Sequence, residues 1–215
     1  MSKTTILLIR HGQSEGNILG VFTGHSGYPL TDLGHKQAEM TGEYIYKNYN
    51  VDGVYCSDLP RAFQTAEHIA SGFALPVITD CHLREINAGQ WENKPFDDLP
   101  VLFPEAYAVW MKDLQHARCT GGESVVEISE RAIKALKDIA IANPEKCIVV
   151  VAHATTIRAA LWKISGGTKE VLNALGWGSN CGINVLSFED GVLNVVSSNY
   201  TEHLEGFSTA LPSNV

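Results

Sequence analysis

Apolar positions in this chain fall into two kinds of run. Short unbroken ones, residues 4–9 (TTILLI) and 147–152 (CIVVVA), have the profile of strands buried on both faces of a parallel sheet. Longer stretches repeat at helical spacing. Leu33, Met40, Tyr44 and Ile45 follow a Thr31 cap in a helix reaching about Asn48. Phe63, Ala66 and Ala70 follow Pro60, a residue tolerated in a first helical turn. Val125, Ile128, Ala132, Ala135 and Ile139 follow Ser124, which has capping-box spacing with Glu127 and therefore reads as a helix cap, not a nucleophile. Residues 53–57 and 76–79 add two shorter strands, and a further helix is expected over about 155–164. Near the end, residues 182–189 and 192–198 flank Asp190-Gly191, the signal for a hairpin with a type I′ turn.

Strands alternating with helices, closed by one hairpin, predict a three-layer α/β/α sandwich with a mainly parallel sheet and one antiparallel strand. Two regions lack either period. Residues 12–29 are glycine-rich and read as a loop with at most a short helical turn. Residues 86–122 contain Pro95, Pro100 and Pro104 among scattered aromatics, and read as a cap inserted over the sheet edge. The expectation is one domain over residues 1–215 carrying that cap, with an irregular tail after Tyr200.

Bulk composition narrows the partners. The length of 215 residues suits a single core, and a net charge of −8 argues against nucleic acid, so an anionic ligand must be held by a local positive cluster. Five cysteines without a C-x-x-C pair predict reduced thiols in a cytoplasmic protein. The apolar N-terminal run ends at Arg10-His11, too short for a signal peptide or a membrane span, so no membrane partner is expected.

The chemistry gathers at strand ends, where open α/β sheets bind ligands. Two apolar strands run into histidines, His11 and His153; Arg10 precedes the first, Arg61 opens the helix after residues 53–57, and Glu85 follows residues 76–79. A buried guanidinium without an anion is costly, so something anionic should complete this group. His25, His35, His68, His82, His116 and His203 receive no role. There is no H-E-x-x-H, no zinc-spaced Cys/His set and no G-x-x-x-x-G-K-[ST] loop, so neither a metal nor another cofactor is expected.

Arg10-His11-Gly12 after an apolar strand resembles the signature of the histidine phosphatase superfamily, which includes the cofactor-dependent phosphoglycerate mutases. The resemblance continues through Asn17, Thr23-Gly24, residues 30–34 (LTDLG), 57–66 (SDLPRAFQTA), 84–92 (REINAGQWE), 122–124 (GES) and 151–153 (VAH), in the family's order. It implies a phosphoglycerate mutase-like fold and a phosphohistidine mechanism acting on a small phosphorylated substrate. His11 would be the nucleophile and Glu85 the proton donor and acceptor, with Arg10, Asn17, Arg61 and His153 holding phosphate oxygens. Thr23, Gly24, Trp91 and Ala154 are candidate substrate-pocket residues. Ala154 stands where the family usually has glycine, from which retained activity with altered substrate tolerance is expected.

The likeness favours a phosphomonoester hydrolase over a mutase. Residues 86–120 carry Lys94, Lys112 and Arg118 against Glu92, Asp97, Asp98, Glu105 and Asp113, weak charge for anchoring a second phosphate. A phosphoglycerate mutase and a catalytically idle phospho-ligand binder are the alternatives. Trp91, Phe96, Phe103, Tyr107 and Trp110 either line a pocket or form the cap's own small core. Sugar phosphates, phosphoglycerates, nucleotide monophosphates and a cobalamin-precursor phosphate are all compatible substrates.

Overall fold

The computed structural model describes residues 3–210. Its sheet has six strands: β1 (Thr4–Arg10), β2 (Gly53–Cys56), β3 (Val77–Thr79), β4 (Cys147–Ala152), β5 (Ile183–Glu189) and β6 (Val192–Tyr200). They lie in the order β3-β2-β4-β1-β5-β6. Neighbours from β3 through β1 are parallel, whereas β5 runs against both β1 and β6. The expected single reversed strand is therefore β5. Asp190 and Gly191 both have positive φ (52° and 81°), as a type I′ hairpin turn requires.

Helices cover both faces. They are α1 (Glu15–Leu19), α2 (Asp32–Asn48), α3 (Pro60–Ser71), α4 (Leu99–Leu102), α5 (Pro104–Lys112), α6 (Val125–Ala142), α7 (Ala154–Ile164) and α8 (Lys169–Ala174). Side chains alternate across a strand, so β1 sends Ile6 and Leu8 towards α6 and α7, and Leu7 and Ile9 towards α2 and α3. β4 does the same with Ile148 and Val150 on one face and Val149 and Val151 on the other. These residues are solvent-free, which explains why both strands read as unbroken apolar runs.

The caps are those the sequence predicts. Thr31 Oγ1 accepts the Gly34 N–H at 3.0 Å. Ser124 and Glu127 close a reciprocal box, with bonds of 3.2 and 2.9 Å. The loop after β1 holds a second such box, Ser14 with Asn17, which starts the short α1. Helix α7 begins at Ala154, with His153 as its N-cap residue. After Tyr200 there is one short helical turn, Glu202–Leu204; the tail expected beyond residue 210 lies outside the described residues.

Residues 86–122 form 3-10 turns together with α4 and α5. Phe22, Trp91, Phe96 and Trp110 meet there edge to face, at centroid distances of 5.3–5.9 Å. This cluster is continuous with Val125 and Ile128 of α6 and with Ala159 and Trp162 of α7. The segment thus shares its core with the sheet-covering helices. No helix among the described residues is long and apolar enough to cross a membrane.

Candidate active site

Arg10 of β1 pairs with Ala152 of β4, so the residues following each strand, His11 and His153, emerge side by side. Their ring centroids are 5.2 Å apart. His11 Nδ1–H donates to the Gly12 carbonyl at 2.7 Å, which leaves the lone pair on Nε2. Arg61 Nε–H donates into that lone pair at 3.3 Å. The turn that aims His11 needs glycine: a Cβ on Gly12 would sit 2.5 Å from the Gly34 carbonyl oxygen at the start of α2.

Arg61 enters from the first turn of α3 and is fully buried. Its Nη1 donates to the Ser26 carbonyl and its Nη2 to the Gly24 carbonyl, each at 2.8 Å. Glu92 braces that loop, accepting from His25 N–H and Ser26 Oγ–H at 2.7 Å each. Gly24 has φ +46°, and a Cβ there would collide with the Glu92 carboxylate. Arg10 donates from Nη1 to the Gly178 carbonyl at 2.7 Å, while its buried Nε has no partner among the described residues. Both ring nitrogens of His153 are likewise buried and unpartnered.

Burial dominates the electrostatics. It lowers Arg10 and Arg61 to about 10, which leaves both charged at neutral pH. Burial, then the charges of Arg61 and Arg10, push His11 well below the ordinary histidine value, although the Gly12 carbonyl pulls the other way. His153 is depressed in the same direction, by burial first and then by Arg61. The result is a neutral imidazole pair beside two fixed positive charges, with three buried nitrogens lacking an acceptor or donor. Buried polar groups are nearly always satisfied, so this group is built for an anion.

Glu85 faces the site from the segment after β3. Its Oε1 accepts the Ile86 N–H at 2.8 Å and its Oε2 the Thr155 N–H at 3.2 Å. Thr156 Oγ1 donates to the Arg84 carbonyl at 2.8 Å and lies 3.5 Å from Glu85 Oε1. The first turn of α7, through the Thr155 N–H and the Thr156 hydroxyl, thus helps to hold Glu85. Arg84 does not pair with Glu85; its guanidinium grips Asp58.

Asn17 Oδ1 accepts from Ser14 N–H at 3.1 Å and from Asn180 Nδ2 at 3.2 Å, so the Asn17 NH2 is the end left for a ligand. Asn180 also donates to the His11 carbonyl at 3.0 Å. An open cleft of about 420 Å³ lies in front, lined by Arg10, His11, Asn17, Thr23, Gly24, Glu85, Ala154 and Thr155 on one side. Val21, Phe22, Phe96, Trp110 and Trp177 line the other. Arg61 and His153, both fully buried, sit beside His11 and do not line the opening.

Trp91 is a correction. It is fully buried in the cap cluster, its Nε1–H bonded to Thr120 Oγ1 at 3.2 Å, and it does not reach the cleft. An indole there fills the space between Phe22 and Trp110, so the cap's own core claims it. Phe96 and Trp110 do both jobs. His25, given no role from the sequence, donates from Nε2 to the Glu85 carbonyl at 2.8 Å. Asn180, Phe22, Thr155 and Trp177 also escaped the sequence reading. Thr155 acts through its backbone N–H, and Asn180 and Trp177 sit in irregular chain, so no periodicity marked them.

The sequence profile of the histidine phosphatase superfamily (branch 1) matches residues 6–201. The chain belongs to the histidine phosphatase superfamily. Among its relatives in that superfamily is the uncharacterized phosphatase PhoE of Bacillus subtilis, 30% identical over 95% of this chain and 98% of the relative. Another is the adenosylcobalamin/alpha-ribazole phosphatase of Escherichia coli, 33% identical over 77% of this chain and 81% of the relative. A solved phosphoserine phosphatase of Entamoeba histolytica, in complex with phosphoserine, superposes with a TM-score of 0.82 at 28% identity. That superposition covers 94% of this chain and 99% of the other.

Proposed function

We propose that this histidine phosphatase hydrolyses a small phosphomonoester through a phosphohistidine on His11. The observation that carries the reading is the state of His11: Nδ1–H fixed on the Gly12 carbonyl, Nε2 unprotonated, and two buried arginines beside it. In the first step Nε2 attacks phosphorus in line and the bond to the leaving oxygen breaks. Glu85 gives that oxygen its proton. In the second step Glu85 takes a proton from water, the hydroxide attacks phosphorus, and the P–N bond breaks.

Arg10, Arg61, His153 and Asn17 take the non-bridging oxygens. Arg61 Nε–H, bonded to His11 Nε2 in this structure, passes to a phosphoryl oxygen as phosphorus takes its place. Guanidinium forks suit this work because catalysis of phosphoryl transfer is mostly positioning and charge neutralisation. Residues 1–215 act on this reading as one domain, with 86–122 as its cap.

Water is the favoured acceptor over a second substrate hydroxyl. A mutase must hold a second phosphate, yet Lys94, Lys112 and Arg118 do not line the cleft, and Arg118 is paired with Glu127. The cap side offers aromatic rings instead, including Trp177 stacked on Trp110 at 5.9 Å. Relatives that act on alpha-ribazole and phosphoserine phosphates make small metabolite esters the first substrates to try.

The test is labelling with a radioactive phosphoryl donor, quenched in alkaline detergent. Wild-type protein should yield an acid-labile, base-stable label and release inorganic phosphate, and His11→Ala should lose both, turnover falling by at least about 10⁴-fold. A His11→Ala protein that still labels and turns over would refute the nucleophile. Interconversion of 3- and 2-phosphoglycerate outpacing phosphate release would favour the mutase reading.

A further inference from the structure

His11 and His153 are aimed by strands, but Glu85 is not. It follows the three-residue β3 and the turn Cys81–Leu83, in chain that has no ladder bonds of its own. Something else must fix where its carboxyl points, because backbone groups there need partners from side chains.

Arg131 of α6 supplies them. Its Nη1 donates to the carbonyls of His82 at 2.7 Å and Arg84 at 3.0 Å, and its Nη2 reaches the Glu85 carbonyl at 3.3 Å. The same guanidinium is gripped by Glu123, Nε to Oε1 at 3.0 Å and Nη2 to Oε2 at 2.8 Å. Glu123 Oε2 then accepts the Asn87 N–H at 2.8 Å, so the pair ties the chain on both sides of Glu85. Burial raises the Glu123 carboxyl, but the Arg131 bond and the Asn87 N–H hold it below its ordinary value, keeping it ionised. The pair is largely buried, with 18% and 23% of the two side chains exposed, so water competes little for these bonds.

We infer that Arg131, clamped by Glu123, is the positioning residue that sets the Glu85 carboxyl for proton transfer to and from the reacting oxygens. The inference rests on Glu85 as the acid and base of the proposed reaction. Arg131 does not line the cleft. Its loss should therefore leave the nucleophile and the anion-holding groups intact while spoiling one proton transfer. A purely structural pair would lower every activity alike.

The measurement is kcat/KM, which covers steps up to the phosphoenzyme, for an alkyl phosphate and for p-nitrophenyl phosphate. The alkoxide needs a proton to leave; the nitrophenolate does not. Arg131→Met should reduce the alkyl value about 10–100-fold, the range for a displaced general acid, and the nitrophenyl value less than about threefold. Arg131→Lys, which keeps the charge and loses the fork, should show the same selectivity at smaller size and serves if the methionine variant does not fold. In a Glu85→Gln background, Arg131→Met should add less than about threefold to the alkyl loss, because the group it positions is gone.

Equal losses on both esters, no loss on either, or full additivity with Glu85→Gln would overturn the role of Arg131. Failure of the acid reading itself is separable: Glu85→Gln alone would then slow both esters equally.

Discussion

One wall of the cleft rests on the ends of β1 and β4, and the other on Phe96 and Trp110 of residues 86–122 with Val21, Phe22 and Trp177. The first wall and the groups buried against it carry the charged and titratable side chains, His11 and His153 placed by adjacent strands and Arg61 by α3. The second wall is largely aromatic: Phe96 comes from a 3-10 turn and Trp110 from the nine-residue α5, while Val21, Phe22 and Trp177 lie in irregular chain. Buried charge demands fixed geometry, because a guanidinium that drifts from its partners pays desolvation without return. Aromatic packing tolerates irregular backbone, since rings need only contact and area. Glu85 lies between the two regimes, charged but on irregular chain, which is why it needs the threonines of α7 and the Arg131 clamp.

The comparison can be broken from the charged side first. Arg61→Ala should lower kcat/KM about 10²–10³-fold, the usual cost of one preorganised donor, and Arg61→Lys should recover little because a point charge cannot reproduce three directed N–H groups. A drop of less than about tenfold for Arg61→Ala would mean that the fully buried arginine braces the Gly24–Ser26 loop and does not hold phosphate.

From the cap side, Trp91→Ala should cost stability and spare the chemistry. Truncating a fully buried indole typically costs about 3–5 kcal/mol, readable as a lower denaturation midpoint. At a temperature where the variant remains folded, its labelling at His11 should be close to wild type. Loss of labelling in folded protein would show that the two walls are not independent.

A third test uses pH. His11 and His153 resist protonation in the folded protein more than in the unfolded chain, where the ordinary value is 6.5. Below 6.5 the unfolded state binds more protons, so the stability from these groups is complete above 6.5 and is lost as pH falls from there towards the depressed native values. His203, pushed down to about 4 by burial, adds in the same direction. The melting temperature should therefore fall between pH 7 and pH 5, and His153→Gln should flatten the decline. An unchanged slope in that variant would remove His153 from the account. The smallest effect expected is that of Ala154→Gly at the mouth of the cleft, a shift in relative kcat/KM among substrates of roughly tenfold or less, as one methyl group in a pocket allows. Assaying a panel of esters would detect it.

Much of the first wall is legible in the sequence. A strand buried on both faces must be apolar throughout, so its end is visible as the first charged residue, and that residue is Arg10. The strand that ends before His153 is visible for the same reason, as is the helix start at Ser124 and Glu127. The second wall was not legible in this way. Trp91 and Trp110 are the same residue type in the same aperiodic segment, yet one fills the cap core and the other also lines the cleft. Nothing local separates them, because the choice depends on where α6, α7 and Phe22 leave space.

Local pattern alone determined the alternation of strands and helices, the reversed hairpin and the clustering of Arg10, His11, Arg61, Glu85 and His153 at one sheet edge. Periodicity encodes burial, and burial encodes element and direction. The tertiary structure decided the rest: that Arg61 Nε meets His11 Nε2, that Asn180 holds Asn17, that Thr155 and Arg131 reach Glu85, and that Trp91 turns inward. These are contacts between residues 29 to 163 positions apart, or placements set by such contacts, and their partners become neighbours only when the sheet and the segment over its edge close.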